Sequence, residues 1–201
     1  MYSFKSTLPK NVVIITDIVI LFSIIAGISI FQNHADLVLL GFWFAIILYG
    51  ILIRRYKSLT HLAISTILAL IWVYIARDNY GYNHTYLTIA GMNLLPILAW
   101  ALGMIGVSEI YNHIPFKSHI LKFIIFIPVF WCLLILIETY AFHMIEIRDT
   151  MSGNSLGLPF CNCIHAPWWM RIVYFTMGPV FYFLTLVVDY YADILVEKKN
   201  M

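Results

Sequence analysis

Long runs of apolar residues follow one another along this chain and constrain its fold more than any other feature. Six of them approach or exceed the roughly 20 residues that a helix needs to cross a bilayer. They occupy about residues 12–31, 37–53, 59–76, 86–110, 121–144 and 172–194. Because the runs are continuous rather than alternating, they are not typical of barrel strands, which have about 9–11 residues. The pattern predicts an all-α integral membrane protein, a six-transmembrane-helix bundle.

Composition supports this fold class. Of the 201 residues, 62% are hydrophobic and 11% are charged, whereas a soluble domain carries about 25% charged residues. The apolar runs cover the whole length, so we expect a single transmembrane domain, 1–201, without a separate soluble part. The net charge of +2 and the lack of a long basic segment exclude a nucleic-acid partner. The partners that we expect are membrane lipids and other membrane proteins, including further copies of this chain.

The distribution of basic residues predicts the orientation. With the N-terminus in the cytoplasm, the outer segments contain only Arg77, Arg148 and Arg171. The inner segments then contain the other nine basic residues, namely Lys5, Lys10, Arg54, Arg55, Lys57, Lys117, Lys122, Lys198 and Lys199. Short cytoplasmic loops are enriched in Lys and Arg, which favours an N-in/C-in topology. We expect a multi-pass protein of the bacterial inner (plasma) membrane.

A long connection, 148–171, joins the last two apolar runs on the predicted outer side. Connections of more than about 12–15 residues are uncommon in compact folds and are often functional. This one contains several Gly and Pro residues, and it ends with Trp168, Trp169 and Arg171, which are typical of a membrane interface. We therefore expect an ordered loop on the extracytoplasmic face.

Glu138 is the strongest candidate for a functional residue. An ionisable side chain at membrane depth is costly and usually faces a cavity or a partner. A carboxyl group removed from water favours its protonated form and can then donate a proton. The predicted helices place Asn93 at a similar depth and His143 nearer the outer boundary, and His165 lies in the long loop. These four residues are the predicted catalytic set, although an inter-helix hydrogen bond would also explain Glu138.

The sequence Cys161-Asn162-Cys163-Ile164-His165 contains soft ligands that suit zinc or copper. It predicts a metal site at Cys161, Cys163 and His165, with a further ligand from elsewhere. A disulfide between the two cysteines in an oxidising compartment is a second interpretation. Packing of the loop by two thiols is a third.

Small and charged residues inside the helices favour structural roles. Ala99 and Gly103 are four residues apart in the fourth run, a spacing that lets another helix approach closely. On the predicted inner side, four polar residues are expected to pair with nearby lysines or with one another. These residues are Asp17, His61, Glu109 and Asp189.

Three functions fit these features. In the first, the protein is an enzyme that acts on a lipid or isoprenoid by general acid chemistry, with aromatic side chains lining the pocket. This combination of Glu138 with nearby aromatic residues resembles small membrane carotenoid cyclases and hydratases, but the paired carboxylates expected of the cyclases are absent. The aromatic residues expected near the site are Tyr80, Tyr82, Tyr140, Phe142, Trp168 and Tyr174. The second function is a non-catalytic subunit of a membrane complex, and the third is a small-solute or lipid transporter.

Overall fold

In a computed structural model, which describes residues 8–83, 85–112, 118–151 and 155–199, the chain folds into a bundle of long helices. The helices are α1 (Lys10–Ile30), α2 (Ala35–Leu52), α3 (Tyr56–Ala76), α4 (Leu94–Asn112), α5 (His119–His143) and α6 (Trp168–Lys199). All six are long and apolar enough to cross a membrane. The predicted helical bundle, with six helices that could each span a membrane, is confirmed at this level.

Helix α4 lies at the centre of the bundle and α1 lies at its edge. In the most apolar stretch of α4, 72% of the residues are buried, compared with 6% in α1. Helix α4 contacts α2, α3, α5 and α6, whereas α1 packs mainly on α2. Apolar side chains therefore cover nearly the whole surface of α1, where lipid or another protein can contact them.

The fourth helix begins at Leu94 and not near residue 86 as predicted. Residues before it form a short antiparallel hairpin, β1 (Thr88–Ile89) and β2 (Met92–Asn93). Its two-residue turn consists of Ala90 and Gly91, which have φ angles of 51° and 76°. Two successive residues with positive φ are typical of a tight hairpin turn and cannot continue a right-handed helix.

The sixth helix begins earlier than predicted, at Trp168, and includes Trp169 and Arg171 in its first turn. The connection between α5 and α6 therefore spans 144–167 rather than 148–171. Residues 152–154 of this connection lie outside the described residues, as do Lys5 and Lys117, which contribute to the orientation argument.

Two connections meet at one end of the bundle. The Asn83 side-chain amide donates to the Glu146 carbonyl oxygen at 3.0 Å and accepts from the Arg148 backbone N–H at 3.0 Å. The Asp149 carboxylate accepts from the Gly81 backbone N–H at 2.9 Å. These bonds join the segment after α3 to the segment after α5, so both connections lie on the same face, in agreement with the alternating path of the chain. Which face is cytoplasmic stays a prediction.

Candidate functional site

The Glu138 side chain lines a cavity of about 90 Å³ between α4 and α5. The rest of its wall is apolar or aromatic and includes Tyr82, Trp100, Met104 and Phe130. Within the described ranges, no group donates a hydrogen bond to the Glu138 carboxylate. Glu138 is therefore not explained by an inter-helix hydrogen bond to any of these residues, and it faces space that an apolar molecule can fill.

Small residues of α4 create this space. Ala99 and Gly103 line the cavity, and a Cβ atom placed on Gly103 would meet no atom within 4 Å. The predicted close helix approach at this pair is thus wrong, because Gly103 faces the opening between α4 and α5. Close approaches occur elsewhere. A Cβ on Gly50 would come within 2.6 Å of Leu59, and one on Gly178 would come within 2.6 Å of the Phe130 ring.

A buried tyrosine organises the aromatic residues beside the cavity. The Tyr80 hydroxyl accepts from Trp72 Nε1 at 2.8 Å and from Trp100 Nε1 at 3.3 Å, and it donates to the Tyr174 hydroxyl at 3.0 Å. Burial raises the pKa of Tyr80 and keeps it a neutral phenol. The two indoles are therefore held at fixed positions, and Trp100 presents part of its surface to the cavity.

Tyr82 connects this aromatic group to Glu138. Its ring stacks on Tyr80 with the centroids 5.9 Å apart, and it forms part of the cavity wall. Burial raises the pKa of Tyr82 and keeps this side chain a neutral phenol as well. The site therefore combines one carboxyl group with neutral aromatic side chains.

Asn93 and His143 do not line the Glu138 cavity. Asn93 donates to the Tyr80 carbonyl oxygen at 3.2 Å and accepts from the Thr85 hydroxyl at 3.2 Å. The prediction of a depth similar to that of Glu138 assumed that Asn93 lies within the fourth helix, whereas α4 begins only after it. His143 Nε2 lies 2.9 Å from the Cys161 carbonyl oxygen, so it holds the loop after α5. A catalytic role for either residue stays a prediction.

His165 is held inside the α5–α6 loop. Its Nδ1 lies 2.9 Å from the Ser155 carbonyl oxygen and its Nε2 lies 3.0 Å from the Asn162 carbonyl oxygen. Its ring stacks on Phe142 with the centroids 4.4 Å apart. A neutral imidazole has one N–H and donates to one of these carbonyls, whereas the imidazolium donates to both. These contacts fix the loop and keep His165 out of the wall of the Glu138 cavity.

Cys161 and Cys163 form a disulfide. The predicted zinc or copper site at Cys161, Cys163 and His165 requires thiolate ligands, which a disulfide does not provide. Throughout the described ranges, no three His, Cys, Asp or Glu side chains gather closely enough to hold a metal ion. In this oxidised form of the loop, the disulfide interpretation is the correct one.

A second polar cluster lies at the opposite end of the bundle, where α2 turns into α3. Arg55 Nη1 contacts the Asp17 carboxylate at 2.7 Å, and Nη2 contacts Glu109. The Ser58 hydroxyl also donates to Glu109. Burial opposes the charge of Arg55, but Glu109 and Asp17 outweigh it and raise the pKa of Arg55. The sequence predicts pairing for Asp17 and Glu109 but not the central position of Arg55, because the two carboxylates are far apart in sequence.

A neighbouring network joins α3, α4 and α6. Lys57 Nζ lies 2.7 Å from the Asp189 carboxylate, which is 3.1 Å from His61 Nε2. His61 Nδ1 in turn lies 3.4 Å from the Ser108 hydroxyl. The order serine, histidine, carboxylate is that of a hydrolase triad. Ser108, however, is buried and does not line the Glu138 cavity, so we interpret the network as one that holds the three helices together.

The fold and the site together define a class, namely a multi-pass helical membrane protein with a carboxyl group facing an apolar cavity. Comparison with protein-family models, with curated proteins and with solved structures finds no match for the chain. The functional argument therefore depends on the geometry alone.

Proposed function

We propose that this protein is a membrane enzyme that isomerises or cyclises an unsaturated isoprenoid lipid, with Glu138 as the proton donor. The observation that carries this proposal is the position of the Glu138 carboxyl group, which lines an apolar cavity and has no hydrogen-bond donor among the described residues. An acid in such a place can meet a carbon–carbon double bond without competition from water.

The chemistry needs no further reactant. The Glu138 O–H bond breaks as a C–H bond forms on one alkene carbon, which leaves a carbocation on the other. The faces of Trp100, Phe130 and Tyr82 stabilise the cation. Loss of a proton from a neighbouring carbon, back to the Glu138 carboxylate, forms a new double bond. The product has the same composition as the substrate, with or without a new ring.

The shape of the site supports a long substrate. A volume of about 90 Å³ accommodates only a segment of a lipid chain. The cavity lies between α4 and α5, so the remainder of the chain can stay in the surrounding lipid. The proposed orientation, N-in/C-in in the bacterial inner membrane, places Glu138 nearer the extracytoplasmic face.

Solvent deuterium provides a test that does not require the product to be known. Membranes containing the protein and a linear polyene such as lycopene are incubated in heavy water, and the extracted lipids are analysed by mass spectrometry. Protonation by Glu138 predicts protein-dependent deuterium in the lipid. Replacement of Glu138 by Gln (E138Q) removes the proton donor and lowers incorporation by roughly 10²–10⁴-fold, the usual contribution of a general acid.

Two glycine variants control this experiment. In G103L, the new side chain fills the Glu138 cavity, and we expect incorporation to fall although Glu138 is present. In G41L, the new Cβ also meets no atom within 4 Å, but Gly41 lies outside the cavity, and we expect incorporation to match wild type. Equal incorporation by wild type and E138Q would refute the proposal.

One observation favours a second function, that of a subunit in a larger assembly. Helix α1 is apolar and has only one fully buried residue, Val13, so it offers a surface for a partner protein or a second copy. Purification in a mild detergent distinguishes the two functions, since an obligate subunit elutes with its partner at a constant ratio.

A further inference from the structure

A larger cleft lies on the other side of α4, away from Glu138. It has a volume of about 290 Å³ and is bounded by α1, α2 and α4, with Arg55, Ser58 and Leu59 at one end. Its wall on α1 extends from Ile14 to Ile24, which corresponds to about 15 Å at 1.5 Å per residue. The cleft is therefore long and narrow, and it runs along the helices.

The polarity of the wall changes along the cleft. Asp17, Arg55 and Glu109 lie together near the α2–α3 turn and are held by their mutual ion pairs. Farther along the helices, toward the middle of the bundle, the wall consists of aliphatic residues such as Leu21, Ile24 and Leu102. A polar end near the membrane boundary and an apolar end at membrane depth match the polarity of an inserted single-chain amphiphile.

The charges at the polar end select the head group. Two carboxylates surround one guanidinium, so the formal charge of this cluster is −1. The Arg55 guanidinium is already engaged by both carboxylates. An anionic head would meet Asp17 and Glu109 and be repelled, whereas a hydroxyl or ammonium head would find hydrogen-bond acceptors.

We infer that this cleft binds a single-chain amphiphile whose head group donates hydrogen bonds, a long-chain alcohol or amine, with its chain along α1 and α4. The site is separate from the Glu138 cavity, so it does not depend on the proposed isoprenoid chemistry.

Photolabelling tests the inference on the full-length protein in lipid nanodiscs. The probes are diazirine analogues of hexadecanol, hexadecylamine and hexadecanoate, and the labelled peptides are identified by mass spectrometry. We expect the alcohol and the amine to label the cleft segments of α1 and α4 saturably, with competition by unlabelled hexadecanol. The carboxylate probe should label these segments roughly ten-fold less, equivalent to about 1.4 kcal/mol.

Gly106 provides the blocking variant. It lines the cleft, and a Cβ on it would meet no atom within 4 Å, so the G106L side chain occupies the cleft without a backbone clash. We expect G106L to lose the saturable labelling, whereas G41L and G103L keep it. Because G103L blocks only the Glu138 cavity, failure of this inference and failure of the proposed enzyme are distinguishable.

Two results would overturn the inference. One is labelling that hexadecanol does not compete, which indicates bulk-lipid contact only. The other is equal labelling by the alcohol and the carboxylate probes. If G106L does not fold, the competition and head-group measurements on wild type still decide the question.

Discussion

Asp36 shows how a single buried carboxylate can hold two distant segments together. It is fully buried, and it accepts hydrogen bonds from the backbone N–H groups of Leu37 at 2.9 Å and of Tyr86 and Leu87 at 2.7 Å. It therefore joins the start of α2 to the segment before β1. The sequence indicates only a polar residue in a short loop, because two of the three donors lie 50 and 51 residues away.

Replacement of Asp36 by Ala should destabilise the protein because it leaves three backbone N–H groups without their acceptor. The expected cost is roughly 2–3 kcal/mol, as for hydrogen bonds to charged groups. For a chain of this length, that cost lowers Tm by roughly 4–12 °C. Thermal unfolding in detergent measures the shift.

Asp78 provides the matched control, since its side chain is 88% exposed and its contact with Arg77 is long, at 3.8 Å. We expect D78A to unfold at nearly the wild-type temperature. Equal shifts for D36A and D78A would contradict the role assigned to Asp36.

The candidate site was predictable in part at the residue scale. A carboxyl group inside an apolar run is unusual in any chain, so Glu138 was identifiable without a structure. Inferred depth and proximity in sequence predict Asn93, His143 and His165 as further site residues, but in the structure all three bond to backbone carbonyl oxygens. Trp100 and Phe130 line the cavity, but aromatic residues in apolar runs carry no signal that distinguishes a cavity wall from a lipid-facing surface.

At the scale of elements, apolar runs predicted the number of helices but not all of their boundaries. The hairpin before α4 consists largely of apolar residues, so a hydropathy window merges it with the helix that follows. Similarly, the spacing of Ala99 and Gly103 identifies a face of small residues, but it does not say whether another helix covers that face or leaves it open.

The α5–α6 loop is an element held by several independent contacts. Its backbone bonds to His143 through the Cys161 carbonyl oxygen and to Asn83 through the Glu146 carbonyl oxygen. The Asp149 carboxylate of the loop accepts from the Gly81 backbone N–H. The Cys161–Cys163 disulfide closes a ring with only one residue between the two cysteines. In the chain-entropy model, so short a loop contributes about 1–2 kcal/mol. The contacts around the disulfide therefore carry much of the loop's stability.

We expect the C161S/C163S double variant to fold and to unfold a few degrees below wild type, in line with the ~1–2 kcal/mol of so short a loop. Thermal unfolding measures this, with C132S, which changes the free cysteine, as the control. Failure of the double variant to fold, with C132S unaffected, would show that the disulfide is essential and would contradict the estimate.

At the scale of the whole molecule, the two ends of the bundle differ in their chemistry. One end has the Arg55 and Lys57 ion pairs, and the other has the disulfide and the interlocked connections. Lys and Arg are enriched in cytoplasmic loops, and disulfides persist in oxidising compartments such as the bacterial periplasm. The charge distribution and the disulfide therefore favour the same orientation for independent reasons.

This orientation predicts how thiols react in intact cells. In a C132S background, reduction with an impermeant phosphine should make Cys161, whose side chain is partly exposed, reactive toward an impermeant maleimide added from outside, whereas Cys163 is fully buried. A cysteine introduced by K198C, in a variant without the three natural cysteines, should react only after the cells are permeabilised, because Lys198 is exposed near the end of α6. Mass spectrometry of the purified protein measures both reactions.

Labelling of K198C, but not of Cys161 or Cys163, in intact cells would mean that the bundle is inserted the other way. The Arg55 cluster would then lie at the extracytoplasmic end, and the disulfide would face a reducing cytoplasm, where such bonds rarely persist.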